Sequence, residues 1–180
     1  GNKDNSPIRT ESKTIINAAV LGLNFKKING YKDGSFFTPG FITEYICRKT
    51  LRRAVVDKFN EIKKWNCQDF EELKEQIDYR KREVRTEANS IINELKICDP
   101  AVGSGHFLVS ALNELIAIKS ELGILQDAGT EPKRIVDYDI IIEDDELVMA
   151  NEDGERFCYD PSNTSSQRIQ QTIFEEKRTI

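Results

Sequence analysis

The chain has 180 residues, 38% of them hydrophobic and 32% charged, with 26 basic against 31 acidic side chains and a net charge of −5. That is the length of one domain or a little more, and no apolar run approaches the ~20 residues of a membrane span. The acidic balance argues against a strong nucleic-acid grip by this chain alone, and the polar N-terminus carries no secretory signal pattern.

Residues 13–25 hold an apolar segment with Ile15, Ile16, Val20, Leu21 and Leu23, read as a short helix. Tyr31 to Phe37 reads as a loop with an Asp33-Gly34 turn. Thr38-Pro39 then reads as a helix start, with Thr38 as N-cap and Pro39 at the first helical position. Apolar positions 41, 42, 45, 46, 55, 56, 59 and 62 continue a helical stripe. A second long helix is expected over about 69–94, with Phe70, Leu73, Ile77, Val84, Ala88 and Ile91 at near-heptad steps, packed as an antiparallel pair with the first. Leu95 to Cys98 is expected to be a strand with Cys98 buried, followed by a helix over 105–122 that stops at Gly123. Beyond it, 134–142 reads as a strand, 143–145 as a turn and 146–150 as a second strand. Asp153-Gly154 reads as a hairpin turn, 156–159 as a returning strand, and a last helix starts at about Thr164.

The segment Asp99-Pro100-Ala101-Val102-Gly103-Ser104-Gly105-His106-Phe107-Leu108 carries the most chemistry. Glycine at 103 and 105 permits positive φ and close approach of a ligand to main-chain atoms. The helix behind it offers unpaired N–H groups and the positive end of a dipole, which suits a carboxylate or phosphate. Asp99 follows an apolar run, where open α/β sheets bind their ligands. The spacing is neither G-x-G-x-x-G, since Leu108 stands at the third glycine position, nor a phosphate loop, since no lysine follows Gly105. Two basic runs, Arg48 to Arg53 and Arg80 to Arg82, lie on predicted helices and read as solvated faces before they read as DNA contacts. The cysteines at 47, 67, 98 and 158 form no C-x-x-C pair, so neither a zinc site nor a disulfide framework is expected.

The string D-P-A-V-G-S-G-H-F-L resembles the S-adenosylmethionine loop of amino-methylating DNA methyltransferases, D-P-[AC]-x-G-S-G-x-[FL]. Gly34-Ser35-Phe36-Phe37-Thr38-Pro39 resembles the second cofactor motif of the adenine-N6 enzymes, G-x-[YF]-[YF]-T-P, and stands in the order those enzymes use. The resemblance is nearest to fused, type IIG-like restriction-modification enzymes. It implies an adenine-N6 methyltransferase that takes S-adenosyl-L-methionine as cofactor and double-stranded DNA as partner, in a bacterial or archaeal cytoplasm, with no metal and no membrane. By the resemblance, Thr38 places its hydroxyl near the methionine carboxylate, Phe36 or Phe37 lines the pocket, and Pro39 belongs to the same cofactor-binding motif. Asp99 accepts from the methionine amino group, Pro100, Ala101, Gly103 and Gly105 present backbone, and His106 stands beside the ligand.

The family also uses an acid on the second strand to hold the ribose, and an [NDS]-P-P-[YF] loop whose polar groups polarise the adenine amino nitrogen while its aromatic ring stacks on the flipped base. No Pro-Pro pair occurs in the sequence, so no catalytic residue is assigned. Asp160-Pro161-Ser162-Asn163 reads as a turn, and Glu143 reads as part of a hairpin before it reads as a ribose acid. The expected fold class is α/β: a helix-rich piece of a Rossmann-like methyltransferase fold holding the first strand and the cofactor helix. Residues 1–94 would form an N-terminal helical part. Residues 95–180 would form a partial, truncated methyltransferase domain with a small antiparallel β-meander insertion. Such a piece is expected to be inactive alone, with weak cofactor binding and weak or no DNA binding. The competing readings are a piece of an RNA or protein methyltransferase, and a non-catalytic helical interaction module.

Overall fold

The computed structural model describes residues 38–127, 134–135 and 138–179. The expected helix at 13–25 and the segment through Phe36 and Phe37 lie outside the described residues. Helix α1 runs over Gly40–Lys63, with Pro39 as N-cap and Thr38 exposed one position earlier. The start is displaced by one residue from the expected one, within the usual spread of helix boundaries. The Pro39 carbonyl accepts from the N–H groups of Ile42 and Thr43 at 3.0 and 3.2 Å. The buried stripe Thr43, Cys47, Leu51, Val55, Val56 and Phe59 repeats at mostly four-residue steps, the period of one helix face.

The expected helix over 69–94 is two helices, α2 at Phe70–Gln76 and α3 at Arg82–Asn93. Asp69 caps α2 by accepting from the Glu72 N–H at 2.9 Å, and Glu72 reaches back to accept from the Gln68 N–H at 2.6 Å. The break needs neither proline nor glycine. Ile77 turns extended and buries its side chain, and Asp78 then accepts from the Arg80 N–H and pairs with Lys81. The Arg85 guanidinium donates to the carbonyls of Tyr79 and Arg80. A short polar side chain that satisfies local backbone competes with continued helix.

Leu95 to Cys98 does not form the expected strand. Among the described residues no second strand lies beside it, and an extended segment without a ladder partner is not a strand. Leu95 packs on the core, whereas Ile97 and Cys98 are exposed, which corrects the expected burial of Cys98. Helix α4, His106–Glu121, ends at Gly123, whose φ is +68 and whose absent Cβ would sit 3.0 Å from Tyr79 Cγ. Conformation and crowding both demand glycine at that position.

Strands β1 (Asp139–Glu143) and β2 (Glu146–Ala150) pair antiparallel, Ile140 opposite Met149 and Glu143 opposite Glu146. The two residues between them, Asp144 and Asp145, have φ of 50° and 66°, the backbone of a primed hairpin turn. The expected meander is thus a hairpin. The returning strand shrinks to a single bridge from Arg156 to Ala150, because Asp153-Gly154 closes a tight turn, with Gly154 N–H donating to Asn151, and pairing stops there. The N-terminal end of the expected 134–142 strand is likewise a single bridge, Gln126 to Arg134. Asn163 caps α5 (Thr164–Thr179) by accepting from the N–H groups of Ser165 and Ser166.

The described fold is therefore five helices with one two-stranded antiparallel sheet, an α/β chain in the broad sense. Helix α4 lies at its centre, with nine of its 16 residues buried. One side meets Val55, Phe59, Leu73 and Ile92 from α1, α2 and α3. The other meets Ile140 of the hairpin and Ile173 of α5. No described helix is long and apolar enough to cross a membrane.

Leu115 is fully buried on α4. Leu115→Ala is expected to lower stability by about 2–5 kcal/mol in denaturant unfolding, through lost apolar burial and a residual cavity. Of the four cysteines, Cys98 and Cys158 are exposed and Cys47 and Cys67 buried. Alkylation of the native chain at neutral pH, read by mass spectrometry, is expected to label the exposed pair and to reach the buried pair only after unfolding.

Candidate cofactor site around the glycine loop

The loop between α3 and α4 holds its own shape. Asp99 Oδ1 accepts from the Ala101 N–H at 2.9 Å, and Gly105 N–H donates to the Val102 carbonyl at 2.7 Å. Gly103 and Gly105 take φ of 50° and 79°, the left-handed region that favours glycine. A Cβ at Gly105 would meet no atom within 4 Å, so the backbone angle demands the glycine there and its Cβ side is open.

Gly105 is the N-cap of α4, with no side-chain cap and no acid in the first turn. The N–H groups of His106, Phe107 and Leu108 take no backbone acceptor outside the helix among the described residues. An uncapped first turn with open donors at the positive end of a 16-residue helix is a place for an anionic group.

Beside this turn lies a cavity of about 240 Å³. One wall is α1, through Ile46, Cys47, Thr50 and Leu51. A second is Ile97 to Pro100, and a third is Phe107, Leu108 and Ala111 of α4. It is mostly apolar with the Asp99 carboxylate at one side. Whole small-ligand sites occupy roughly 300–1,000 Å³, so this cavity has room for part of a cofactor rather than all of it.

The structure gathers only some of the expected site residues. Asp99 and Pro100 line the cavity. Gly105 and His106 stand half-buried at the turn, while Ala101 and Gly103 lie exposed on the outer loop. Thr38 and Pro39 are exposed at the head of α1 and do not line the cavity, whose α1 wall begins at Ile46. Phe36 and Phe37 lie outside the described residues. Glu143 ends β1, exposed, and pairs across the hairpin with Arg156 at 2.5 Å. Asp160 accepts from Ser162 N–H at 2.8 Å in a turn that leads into α5. No described group of His, Cys, Asp or Glu side chains could hold a metal ion.

One residue at this end of the molecule was not singled out in the sequence. Asp145, at the hairpin tip, is buried. Its Oδ1 accepts from Ser110 Oγ–H at 2.6 Å, its Oδ2 lies 3.3 Å from His106 Nε2, and its carbonyl accepts from Asn113 Nδ2 at 3.2 Å. A Cβ on Gly40 would sit 3.5 Å from Asp145 Cβ, so the same side chain covers the residue after Thr38-Pro39. The available signal was an Asp-Asp pair at a two-residue turn where Asn-Gly is the usual choice. Burial pushes the Cys47 thiol up to about 11, with the carboxylates of Asp145 and Glu114 adding to the effect. Burial likewise pushes the Glu114 carboxyl up, opposed by Arg52, whose Nε lies 2.9 Å away.

No protein-family model matches this chain, and no solved structure does. A curated protein of the archaeon Methanocaldococcus jannaschii, named "Putative type II restriction enzyme and methyltransferase", is 38% identical over 122 residues. That alignment covers 59% of this chain and 10% of the relative, so the chain spans about a tenth of the length of the protein it matches. The similarity is thus to a part of a protein named for both restriction and methyltransferase functions.

Proposed function

We propose that this chain is the cofactor-loop part of a restriction-modification DNA methyltransferase that transfers a methyl group from S-adenosyl-L-methionine to adenine N6. The observation that carries the reading is the glycine loop: Gly105 at φ 79° opens an uncapped α4 with Asp99 beside it at the cavity wall. The similarity to the named archaeal protein supports the restriction-modification setting. Adenine N6 rests on the likeness of Gly34 to Pro39 to the corresponding family motif.

In this reading the first-turn N–H groups of α4 and the Thr38 hydroxyl take the methionine carboxylate. Asp99 accepts from the methionine ammonium through the oxygen that Ala101 leaves unused. Pro100, Ala101, Gly103 and Gly105 bring main chain close, Phe36 or Phe37 of the motif that ends in Pro39 lines the pocket, and His106 flanks it. The cofactor supplies a sulfonium methyl to an attacking nitrogen. The chain's own part is to hold the charged methionine end and keep it from rotating. The cavity volume fits that partial role. Double-stranded DNA is the partner of the whole protein, in the cytoplasm, and this chain's net charge of −5 leaves most phosphate contacts to other residues.

Cys98 lines the cavity and is exposed, whereas Cys158 is exposed elsewhere. Millimolar S-adenosylmethionine is expected to slow alkylation of Cys98 at least about threefold, to leave Cys158 unchanged, and to lose the effect in Asp99→Ala. ATP at the same concentration is expected to give no protection. Absence of protection at about 10 mM, or equal protection by ATP, overturns the reading. A longer protein containing this chain is expected to leave N6-methyladenine in DNA, detected by nucleoside mass spectrometry. 5-Methylcytosine as the sole product contradicts the substrate assignment.

A further inference from the structure

We infer that Asp145 is a positioning residue: its buried carboxylate, delivered by the hairpin tip, holds the glycine loop in register with the head of α1. The inference deepens the function proposed above and rests on it for its meaning, though not for its test. The two cofactor motifs are far apart in sequence, and neither Thr38 nor Pro39 lines the cavity beside the loop. Asp145 stands beside a residue at the end of each. It touches His106, the residue directly after Gly103-Ser104-Gly105, at 3.3 Å, and it stands over Gly40, the residue directly after Thr38-Pro39.

The chemistry of the contact is that of a clasp. The Asp145 side chain is 3% exposed, so its charge is withdrawn from water and must be met by local groups. Ser110 gives Oδ1 a hydroxyl proton at 2.6 Å, and His106 Nε2 faces Oδ2. Asn113 fixes the backbone by donating to the Asp145 carbonyl. From α1 the buried Cys47 thiol feels this carboxylate, and Glu114 of α4 adds to the same field. His106 Nδ1 is buried and has no hydrogen-bond partner among the described residues, so the Asp145 carboxylate, 3.3 Å from Nε2, is the polar group that faces the ring. A hairpin that only covered apolar surface would need no buried acid at its tip. Here φ is +66° at Asp145, a conformation that residues other than Gly, Asn and Asp rarely take, and the carboxylate is buried against Ser110.

The chain contains a single histidine, so the imidazole nitrogen signals of one residue report the clasp in the intact, ligand-free protein. Asp145→Ala is expected to shift the His106 imidazole nitrogen resonances and to speed amide exchange about tenfold at residues 40–46 and 103–109. Amides of α2 and α3 are expected to keep their rates. Asp145→Asn, which keeps one acceptor and tolerates the left-handed backbone, is expected to fall between Asp145→Ala and wild type, and it carries the test should Asp145→Ala fail to fold. Asp144→Asn, at the exposed neighbour in the same turn, is expected to change neither reading. A uniform rise in exchange along the whole chain, or unmoved His106 signals, overturns the inference. Cofactor protection of Cys98 is read in the same variants and is expected to need about tenfold more S-adenosylmethionine in Asp145→Ala. If the wild type shows no protection at all, the proposed function fails, while the imidazole and exchange readings still decide the role of Asp145.

Discussion

Helix α4 sets the terms for the rest of the molecule because it buries polar groups as well as apolar ones. Ser110, Asn113, Glu114 and Lys119 are all buried on it. A buried polar group without a partner forfeits roughly 1–3 kcal/mol, and more if charged, so each one needs a partner brought in from elsewhere. Ser110 and Asn113 take the hairpin tip through Asp145. Glu114 takes Arg52 from α1. Lys119 takes Asn93 at the end of α3 and Glu176 of α5. Four side chains on one helix thus specify where four other elements dock, and the apolar clusters on its two sides fill in around those fixed points.

This arrangement makes the two ends of α4 different. From Ser110 to Lys119 the helix is surrounded, and each of its four buried polar side chains holds at least one partner from another element. Its first turn is not: Leu108 and Val109 are exposed, the cap is a glycine with open space on its Cβ side, and no side chain caps the leading N–H groups. A rigidly supported helix with an uncapped, accessible N-terminus is suited to receive an anionic group without rearranging. The cavity beside it takes its apolar walls from α1, so the element that completes the core of α4 also shapes the site.

Arg52 shows how burial reassigns a residue. In the sequence it belongs to a basic run that reads as a solvated helix face. In the fold it pairs with Glu114 and with Glu121 at 2.6 Å, and its guanidinium lies 4.5 Å from the ring centre of Phe70. Its charge is spent inside the protein rather than offered to a polyanion. Arg53, one residue on, faces water and makes the exposed i,i+4 pair with Asp57 that a solvated face predicts.

Local chemistry determined a good deal by itself. Three- and four-residue apolar steps gave α1 and α4 to within a residue or two, because one helix face must be buried whatever it packs against. The glycines at 103, 105 and 123 announced positive φ, and all three take it, since a glycine in such a turn answers to its own backbone. Only the tertiary structure decided the rest. Leu95 to Cys98 has the apolar pattern of a strand, but a strand exists only through a neighbour's hydrogen bonds, and none of the described residues provides them. The break at Ile77 follows from burying that side chain against the core while Asp78 caps the turn. Asp145 looked like a turn residue because turn chemistry is local. Its partnership with His106, Ser110 and Gly40 spans 35 to 105 positions and arises from docking the hairpin on α4, which no short window of sequence records.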